Sequence, residues 1–357
     1  MNFFNGAVGS VTAGAVYLSC HRTFCGRIDQ LDAGRQQWSF QMNKRLLGRT
    51  GLEISPVVFG GNVFGWTADE ATSFDLLDRM LDLGLNTIDT ADVYSAWVDG
   101  NKGGESEAII GKWLKADPSR RDKIVLFTKV GSEMGEGKKG LSERWITQAV
   151  EDSLARLNTD HIDLYFSHWP DADTPYEETL GAYDKLLKAG KIRAVGASNL
   201  DAAQLGEALK VAEDKGLPRY DVLQPEYNLY DRSKFDGALR DLVMREEIGV
   251  VTYFSLASGF LSGKYRSKED LSKSKRGAGV EKYLDDRGMR ILDALDKVGA
   301  AHEAKPAEVA LAWVIARKGV TAPIASATSR EQLQSLAKAA ELQLSAEDVR
   351  TLDEASR

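Results

Sequence analysis

The sequence predicts an α/β fold of the (β/α)8, or TIM-barrel, class. From residue 42 to the end, short apolar runs rich in β-branched residues alternate with amphipathic helical patterns. Eight strands that alternate with helices over roughly 280 residues are typical of such a barrel. A doubly wound sheet would instead need a Gly-x-Gly-x-x-Gly turn after its first strand, and here that position reads GGNVFG, from Gly60 to Gly65.

Composition agrees with a packed globular body. The chain has 357 residues, of which 43% are hydrophobic and 28% are charged. Its formal net charge of −7 argues against nonspecific nucleic-acid binding, which needs a basic surface. The sequence contains no run of about 18 apolar residues, so we predict no membrane span. It also contains no cluster of His, Cys, Asp and Glu with the spacing of a zinc site.

Residues 1–41 differ in character from the rest of the chain. They mix apolar residues with Gly, Ser, Thr and Asn, and they lack the basic start of a secretory signal. The two cysteines of the chain, Cys20 and Cys25, both lie here. Two cysteines are too few for a disulfide scaffold. We predict a poorly ordered extension at residues 1–41 and a single barrel domain at 42–357. A body without cysteines suits a reducing compartment, so we expect a cytoplasmic location.

The strands are predicted in chain order. The segment MNKRLLGRTGLEISPVVFG, which starts at Met42, predicts a β-hairpin followed by the first barrel strand, with the hairpin at the barrel bottom. Short apolar runs then predict the others. The eight barrel strands are expected at 56–60, 86–89, 124–128, 162–166, 194–196, 222–224, 250–253 and 322–324.

Helical periodicity predicts the elements between the strands. Ser142, Thr174-Pro175 and Ser329 precede helical runs and mark their starts. Glycines mark the expected ends, at Gly84, Gly190, Gly216, Gly249 and Gly319. Helices are expected near 69–83, 105–115, 142–157, 176–189, 201–215, 235–247, 306–318, 330–340 and 345–355.

Reactive side chains follow three successive barrel strands. Asp89 and Tyr94 lie at the end of the second strand, Lys129 at the end of the third and His168 just after the fourth. In a barrel of this class, functional groups lie at the carboxyl ends of the strands. These four side chains are therefore expected to converge on one mouth.

The set has a chemical logic. The pKa of a free tyrosine is near 10, and we expect an adjacent lysine ammonium to lower it. A carboxylate keeps that lysine charged, while a neutral histidine orients a substrate carbonyl. Together they form a general acid that protonates a developing alkoxide. No side chain supplies hydride, so a nicotinamide cofactor is implied.

From Asn43 to its end, the chain resembles the aldo-keto reductase superfamily. The matching motifs are NTIDTADVY, FTKVG, IDLYFSHWPD, IRAVGASN, LQPEYNLYDR and FSLASGFLSGKY. Within the superfamily, the segments GGESEAIIGKWL and GFLSGKY are similar to those of bacterial reductases and potassium-channel β subunits.

The resemblance implies a role for each matching residue. Tyr94 is the proton donor, Lys129 tunes it, Asp89 pairs with Lys129, and His168 positions the carbonyl. Ser198, Asn199 and Gln224 hold the nicotinamide carboxamide, and Tyr253 stacks on the ring. The other cofactor contacts that the resemblance implies are Phe254, Ser255, Leu256, Ala257, Ser258 and Lys264, with Ser326, Thr328 and Gln332 at the adenosine end. Asn62, in a loop at the mouth, is a further candidate cofactor contact.

The chain departs from the family pattern at the adenosine 2′-phosphate. Many relatives have Lys, Arg and Asn where this chain has Ser326, Gln332 and Leu336. Arg330 lies close in sequence and is the candidate replacement cation. NADP remains the expected cofactor, with NAD as the alternative.

Aromatic and basic residues are expected around the mouth. Trp66, Trp97 and Trp169 fall in loops there and suit the walls of an apolar carbonyl site. The segment 264–276 carries six basic residues and is either a mobile loop over the cofactor phosphates or a solvated loop.

The expected function is reduction of aldehydes and ketones to alcohols with NAD(P)H, with Tyr94 as the proton source. A cofactor-binding regulatory module with little turnover, resembling channel β subunits, is the first alternative. An unrelated barrel, such as a phosphate-binding isomerase, is the second. The physiological substrate and the oligomeric state are left open, because substrate specificity in this fold comes from loops.

Overall fold

Eight parallel strands close into a barrel within residues 42–357, the part of the chain that the computed structural model describes. Strands that are consecutive in sequence pair, and the last strand pairs with the first. The predicted (β/α)8 class is confirmed, whereas the predicted extension at 1–41 lies outside the described residues. A hairpin of β1 (Arg45–Leu46) and β2 (Glu53–Ile54) precedes the barrel strands β3 (Val58–Gly60), β4 (Thr87–Asp89), β5 (Val125–Val130), β6 (Ile162–Ser167), β7 (Ile192–Ser198), β8 (Val222–Gln224), β9 (Gly249–Thr252) and β10 (Ala322–Ala325).

The hairpin covers the amino-terminal end of the barrel. Arg45 donates to the carbonyl oxygens of Ile315 and Thr321, just before β10 begins. Leu47 and Ile54 are fully buried and join the apolar interior of the barrel. The predicted hairpin is therefore present at the barrel bottom, opposite the carboxyl ends of the strands.

Helices pack around the barrel, and the nine predicted helices are all present in the described residues. A second apolar layer fills the space between strands and helices. None of these helices combines the length and the apolar character that crossing a membrane requires. The helices are α1 (Glu70–Asp82), α2 (Glu105–Ala116), α3 (Glu143–Leu157), α4 (Tyr176–Lys188), α5 (Ala202–Lys215), α6 (Ala238–Arg245), α7 (Asp286–His302), α8 (Pro306–Ile315), α9 (Arg330–Glu341) and α10 (Ala346–Ala355).

Helix α7 is the element that the sequence analysis missed. It follows a long polar stretch, and Gly288 suggests a break near its start. The glycine is required for packing, because a Cβ there would lie 1.9 Å from the carbonyl oxygen of Tyr283. Ile291, Leu295 and Val298 are buried at helical spacing, so the periodic signal was present.

Most of the predicted helix boundaries have the expected physical cause. Ser142 and Ser329 each accept a hydrogen bond from a backbone N–H in the first turn of α3 and α9. Gly249 is an exception, because α6 ends earlier and Gly249 opens β9. A Cβ on Gly249 would lie 2.7 Å from Leu47 Cδ1, so this glycine allows close approach of the hairpin.

Candidate active site

Strand β5 sends neighbouring side chains to opposite faces, as the pleat of a strand requires. Thr128 points toward the helices, where its hydroxyl donates to Glu107 on α2 at 2.6 Å. Lys129 points into the barrel, and its side chain is fully buried. Thr128 therefore belongs to a polar cluster between the barrel and the helices, whereas Lys129 belongs to a second polar cluster inside the barrel.

The Lys129 ammonium organises the cluster inside the barrel. Its Nζ donates to Asp89 Oδ2 at 2.7 Å, to the Thr90 carbonyl oxygen at 2.7 Å and to Tyr94 Oη at 2.9 Å. An ammonium has three N–H donors, so all of them are used. Three of the four predicted catalytic residues are thereby joined at one atom.

Asp89 is fixed from two directions. Its Oδ2 accepts from Lys129 and, at 3.3 Å, from the hydroxyl of Tyr94. Its Oδ1 accepts from Gln224 Nε2 at 2.9 Å, and Gln224 lies at the end of β8, across the barrel. The adjacent ammonium compensates the buried negative charge of this carboxylate.

Tyr94 keeps its proton near neutral pH. Burial and the negative charge of Asp89 raise the pKa of Tyr94 well above its usual value near 10. The net direction is upward although the Lys129 ammonium donates to the Tyr94 hydroxyl oxygen, because burial and Asp89 outweigh that hydrogen bond. The protonated phenol is the state that a proton donor requires.

His168 presents a neutral ring beside Tyr94. Burial and a nearby ammonium lower the pKa of His168 well below its usual value of 6.5. Its backbone N–H donates to the Val130 carbonyl at 2.8 Å, and its carbonyl accepts from Asn199 Nδ2 at 2.9 Å. Its ring centroid lies 6.2 Å from that of Tyr94. At this distance, one small group of a ligand can contact both rings. We call Asp89, Tyr94, Lys129 and His168 the mouth cluster.

The three predicted substrate tryptophans form one continuous run of rings with the mouth cluster. Trp66 meets Trp97 edge to face at 5.7 Å, and Trp97 meets Tyr94 at 6.0 Å. On the other side, His168 stacks on Trp169 at 5.7 Å. Trp97 and Trp169 are each 49% exposed, so both flank an opening toward solvent.

The side chains predicted to hold the nicotinamide lie together. Asn199 Oδ1 accepts from the Tyr253 hydroxyl at 2.7 Å, and Asn199 Nδ2 also contacts Ser198 Oγ at 3.0 Å. Ser198 Oγ donates to the Gln224 carbonyl at 2.8 Å. These bonds order one wall of the mouth. Gln224 donates through its Nε2 to Asp89, and its Oε1 accepts no hydrogen bond from the described residues.

The loop after β9 has a backbone suited to an anion. Phe254, Ala257 and Ser258 have φ of 50°, 48° and 56°, in the left-handed region that is unusual for residues other than glycine. Such turns direct successive N–H groups into a concave, anion-binding nest. The neighbouring Ser255 hydroxyl is buried against Thr252, and Leu256 precedes a short 3-10 helix.

Two cations of the segment 264–276 are candidate contacts for an anion. The Lys264 ammonium lies 3.8 Å from the position that a Cβ on Gly259 would take. Arg276 lies over the Trp66 ring at 5.0 Å, and its Nη2 is buried without a hydrogen-bond partner in residues 42–357. A buried guanidinium with an unused N–H donor fits an anionic ligand such as the pyrophosphate of a dinucleotide.

The other basic residues of the segment 264–276 are largely engaged. Arg266 pairs with Asp296, Lys268 with Glu281, and Lys273 with Asp270. Short 3-10 helices at Lys268–Lys273 and Gly277–Tyr283 give the segment regular structure. Arg276 differs from these paired residues, because one of its guanidinium nitrogens has no hydrogen-bond partner in residues 42–357.

The predicted adenosine-end residues lie at the carboxyl end of β10. Ser326 Oγ donates to Asn62 Oδ1 at 2.6 Å, which joins the loops after β10 and β3. Gln332 Oε1 accepts from the backbone N–H of Thr328 at 2.8 Å and from its hydroxyl at 3.1 Å. These bonds order the turn that leads into α9.

The candidate replacement cation, Arg330, already has a partner. Its guanidinium forms a two-pronged pair with Asp75 of α1. Leu336 is buried in the apolar layer and offers no polar group. The described residues therefore weaken the case for a strong 2′-phosphate site.

Asp75 and Ser132 are functional candidates that the sequence analysis did not identify. Asp75 lies 255 residues from Arg330, so no local pattern indicated the pair. Ser132 Oγ lies 3.0 Å from His168 Nδ1. Its position directly after the strand end TKVG was an available signal.

A second buried polar cluster lies between the barrel and helices α2 and α3. Glu107 accepts from Arg156 Nε at 2.7 Å and from Thr128. Both carboxyl oxygens of Asp92 and the hydroxyl of Tyr165 are buried without hydrogen-bond partners in the described chain. We call Asp92, Glu107, Arg156 and Tyr165 the outer cluster. Within residues 42–357, no group of three or more His, Cys, Asp and Glu side chains is arranged to hold a metal ion.

Comparison with known proteins identifies relatives over the whole barrel. A family model described as the aldo/keto reductase family matches residues 56–357. The chain is 37% identical to the uncharacterized oxidoreductase YrpG of Bacillus subtilis (strain 168), over 88% of this chain and 95% of that protein. It is 33% identical to a probable voltage-gated potassium channel subunit beta of Oryza sativa subsp. japonica (84% and 91%) and 32% identical to the aldo-keto reductase YhdN of Bacillus subtilis (strain 168) (85% and 90%).

Proposed function

The chain belongs to the aldo/keto reductase family, and from this premise we propose that it reduces aldehydes or ketones to alcohols with NAD(P)H. The family and the relatives support the general class of function, which is that of an oxidoreductase. The more specific proposal concerns a small-molecule carbonyl substrate, NADP as the first choice of cofactor with NAD as the alternative, and a cytoplasmic location.

One observation carries the proposal. The fully buried Lys129 ammonium binds Asp89 and Tyr94 at once, beside the neutral ring of His168. A protonated phenol, a buried cation and a neutral histidine at one opening are the groups that protonate a developing alkoxide.

The cofactor-binding residues are proposed by the same reasoning. Ser198, Asn199, Gln224 and Tyr253 would hold the nicotinamide, and the left-handed loop 254–258 would hold the pyrophosphate. Lys264 and Arg276 would neutralise the phosphates, with Asn62, Ser326, Thr328, Arg330 and Gln332 toward the adenosine. When bound, the reduced nicotinamide supplies the hydride that no side chain can provide.

The residues of the chain then perform the proton chemistry. His168 donates a hydrogen bond to the substrate carbonyl oxygen and orients it toward Tyr94. As the carbonyl carbon gains hydride, Tyr94 Oη transfers its proton to that oxygen, and the alcohol forms. Lys129 stabilises the resulting phenolate through the 2.9 Å hydrogen bond, until a proton from solvent restores the phenol.

The tryptophans suggest a substrate with apolar character. Trp66, Trp97 and Trp169 flank Tyr94 and His168 in a continuous series of ring contacts. Apolar walls that surround a few polar groups are typical of small-molecule sites. We propose that these rings contact the substituents of the carbonyl carbon.

A regulatory cofactor-binding module is the second candidate. The observation in its favour is the 33% identity to proteins named as probable channel β subunits of rice and of Arabidopsis thaliana. Such a module would bind the cofactor at the same residues and show little turnover, so measurement of turnover separates the two candidates.

The test combines cofactor binding with catalysis. NADPH and NADH are titrated by fluorescence into wild-type protein, and a panel of aldehydes and ketones is then assayed with the tighter cofactor. Tyr94→Phe should lose turnover by about 10²–10⁴-fold while its cofactor dissociation constant stays nearly unchanged. Tyr176→Phe, at the start of α4, is the matched control and should keep full activity.

Three results would overturn parts of the proposal or the whole of it. Retained turnover in Tyr94→Phe would exclude Tyr94 as the proton donor. Tight cofactor binding without oxidation by any carbonyl would favour the regulatory module. Absence of any change in NADPH or NADH fluorescence would argue against nicotinamide cofactor binding, and therefore against both candidate functions.

A further inference from the structure

Ser132 makes a specific contact with the ring of His168. Its Oγ lies 3.0 Å from Nδ1, on the side of the ring that does not bear Nε2. Gly131, with a φ of +118°, turns the chain directly after β5 and brings Ser132 beside His168. In the described residues, the Ser132 hydroxyl makes no other hydrogen bond with protein.

The orientation of the His168 ring is otherwise restricted. The main chain of His168 is held on both sides, by the Val130 carbonyl at 2.8 Å and by Asn199 Nδ2 at 2.9 Å. Trp169 stacks on the ring with an angle of 17° between the planes. The main remaining variable is which ring nitrogen, Nδ1 or Nε2, carries the single proton of the neutral ring.

That proton decides what the ring can do. A neutral imidazole carries one N–H and one lone pair, so only one nitrogen can donate. If Nδ1 carried the proton, Nε2 would present a lone pair and would repel a carbonyl oxygen. The proton of the Ser132 hydroxyl would then lack a protein acceptor.

We propose that Ser132 is a positioning residue that donates to His168 Nδ1 and thereby keeps the proton on Nε2, where it can bind the substrate carbonyl. The catalytic consequence rests on the proposed reductase function, whereas the tautomer itself does not. The partner of the second nitrogen commonly fixes the tautomer of a functional histidine.

The first test observes the tautomer directly. The protein is labelled with ¹⁵N-histidine, and long-range proton–nitrogen correlations report which ring nitrogen carries the proton. The chain has four histidines, and His168→Gln identifies the signal of interest. Wild type should show protonation on Nε2 alone, Ser132→Ala should show a mixture of tautomers, and Ser132→Thr should restore the wild-type pattern.

The second test measures catalysis on whichever carbonyl the panel identifies. Ser132→Ala should lower kcat about tenfold, the typical worth of one positioning hydrogen bond, with the cofactor dissociation constant unchanged. Ser132→Thr, which keeps a hydroxyl, should recover most of the activity. A merely structural role would lower thermal stability in both variants without changing the tautomer.

The outcomes separate this inference from the proposed function. An Nδ1-protonated ring in wild type, or identical spectra for wild type and Ser132→Ala, would overturn the role of Ser132. Wild type that turns over no carbonyl would overturn the reductase proposal, while the spectra would still decide the tautomer. An unchanged kcat in Ser132→Ala, beside an altered tautomer, would overturn the catalytic part alone.

Discussion

Asp89 and Asp92 lie three residues apart in the motif NTIDTADVY, and both are almost fully buried, yet the protein stabilises them by different means. Asp89 accepts hydrogen bonds from Lys129, Tyr94 and Gln224. Asp92 has no hydrogen-bond partner for either carboxyl oxygen in the described residues. Burial and the negative charge of Glu107 raise the pKa of Asp92 well above its usual value.

The difference follows from the side of the barrel that each residue faces. Asp89 belongs to the mouth cluster, where an ammonium compensates its charge. Asp92 belongs to the outer cluster, where Arg156 is already engaged with Glu107. A buried carboxyl can therefore be compensated by an adjacent ammonium or carry a raised pKa, and only the first arrangement supplies the organised charge that the proposed chemistry needs.

Replacing Lys129 by Met should have the largest effect on activity. Tyr94 would lose the cation that stabilises its phenolate, and Asp89 would become an uncompensated buried charge. We expect kcat/KM to fall by about 10²–10⁴-fold. Arg156→Met, which removes the cation of the outer cluster, is the matched control and should change kcat of the folded protein by less than about threefold. Similar losses in both variants would show that the two clusters are not functionally distinct.

Replacing Glu107 by Ala should have the largest effect on stability. Glu107 is fully buried, and its removal leaves Arg156 and the Thr128 hydroxyl without their partner. Removing one member of a buried ion pair costs about 3–5 kcal/mol of unfolding free energy, which urea denaturation measures. A change below about 1 kcal/mol would mean that the pair contributes little, as surface pairs do.

Replacing Asp92 by Asn should change how stability depends on pH. The pKa of Asp92 is raised in the folded state, so between about pH 3.8 and that raised value the folded protein binds more protons than the unfolded chain. The contribution of Asp92 to stability therefore falls by up to about 1.4 kcal/mol for each pH unit in this window, and the Asp92→Asn variant would lack this fall.

Thermal unfolding of wild type and Asp92→Asn from pH 4 to pH 8 tests this sign. The stability of the variant relative to wild type should increase as the pH rises. A difference that is constant or decreases with pH would contradict a raised pKa at Asp92. Activity should remain close to that of wild type, in contrast to any change at Asp89.

The smallest effect is expected at a third aspartate, Asp75, which is partly exposed and pairs with Arg330. Asp75→Asn should free the guanidinium and tighten NADPH relative to NADH by about two- to fivefold, within the worth of a surface ion pair. Fluorescence titration with both cofactors measures the ratio. Glu70→Gln, which releases Lys112 instead, is the control on the same helix. An unchanged ratio would place Arg330 away from the 2′-phosphate.

Local pattern was sufficient for the fold and for the identity of the mouth cluster. Periodicity located the eight barrel strands, because the faces of strands and helices repeat at different spacings. The rule that functional groups follow barrel strands then selected Asp89, Tyr94, Lys129 and His168. Helix α7 was not predicted, although Ile291, Leu295 and Val298 repeat at helical spacing and are buried. Its Gly288 serves packing against Tyr283.

The sequence by itself determined the barrel and the four titratable side chains of the mouth cluster that lie together at its mouth. The tertiary structure alone decided which distant groups meet: Gln224 with Asp89 across 135 residues, Arg330 with Asp75 across 255, and Ser132 with His168 across 36. It also made burial and Asp89 the dominant influences on the pKa of Tyr94. The physical reason is that period and propensity act locally along the chain, whereas burial and charge act through distances that only the closed barrel fixes.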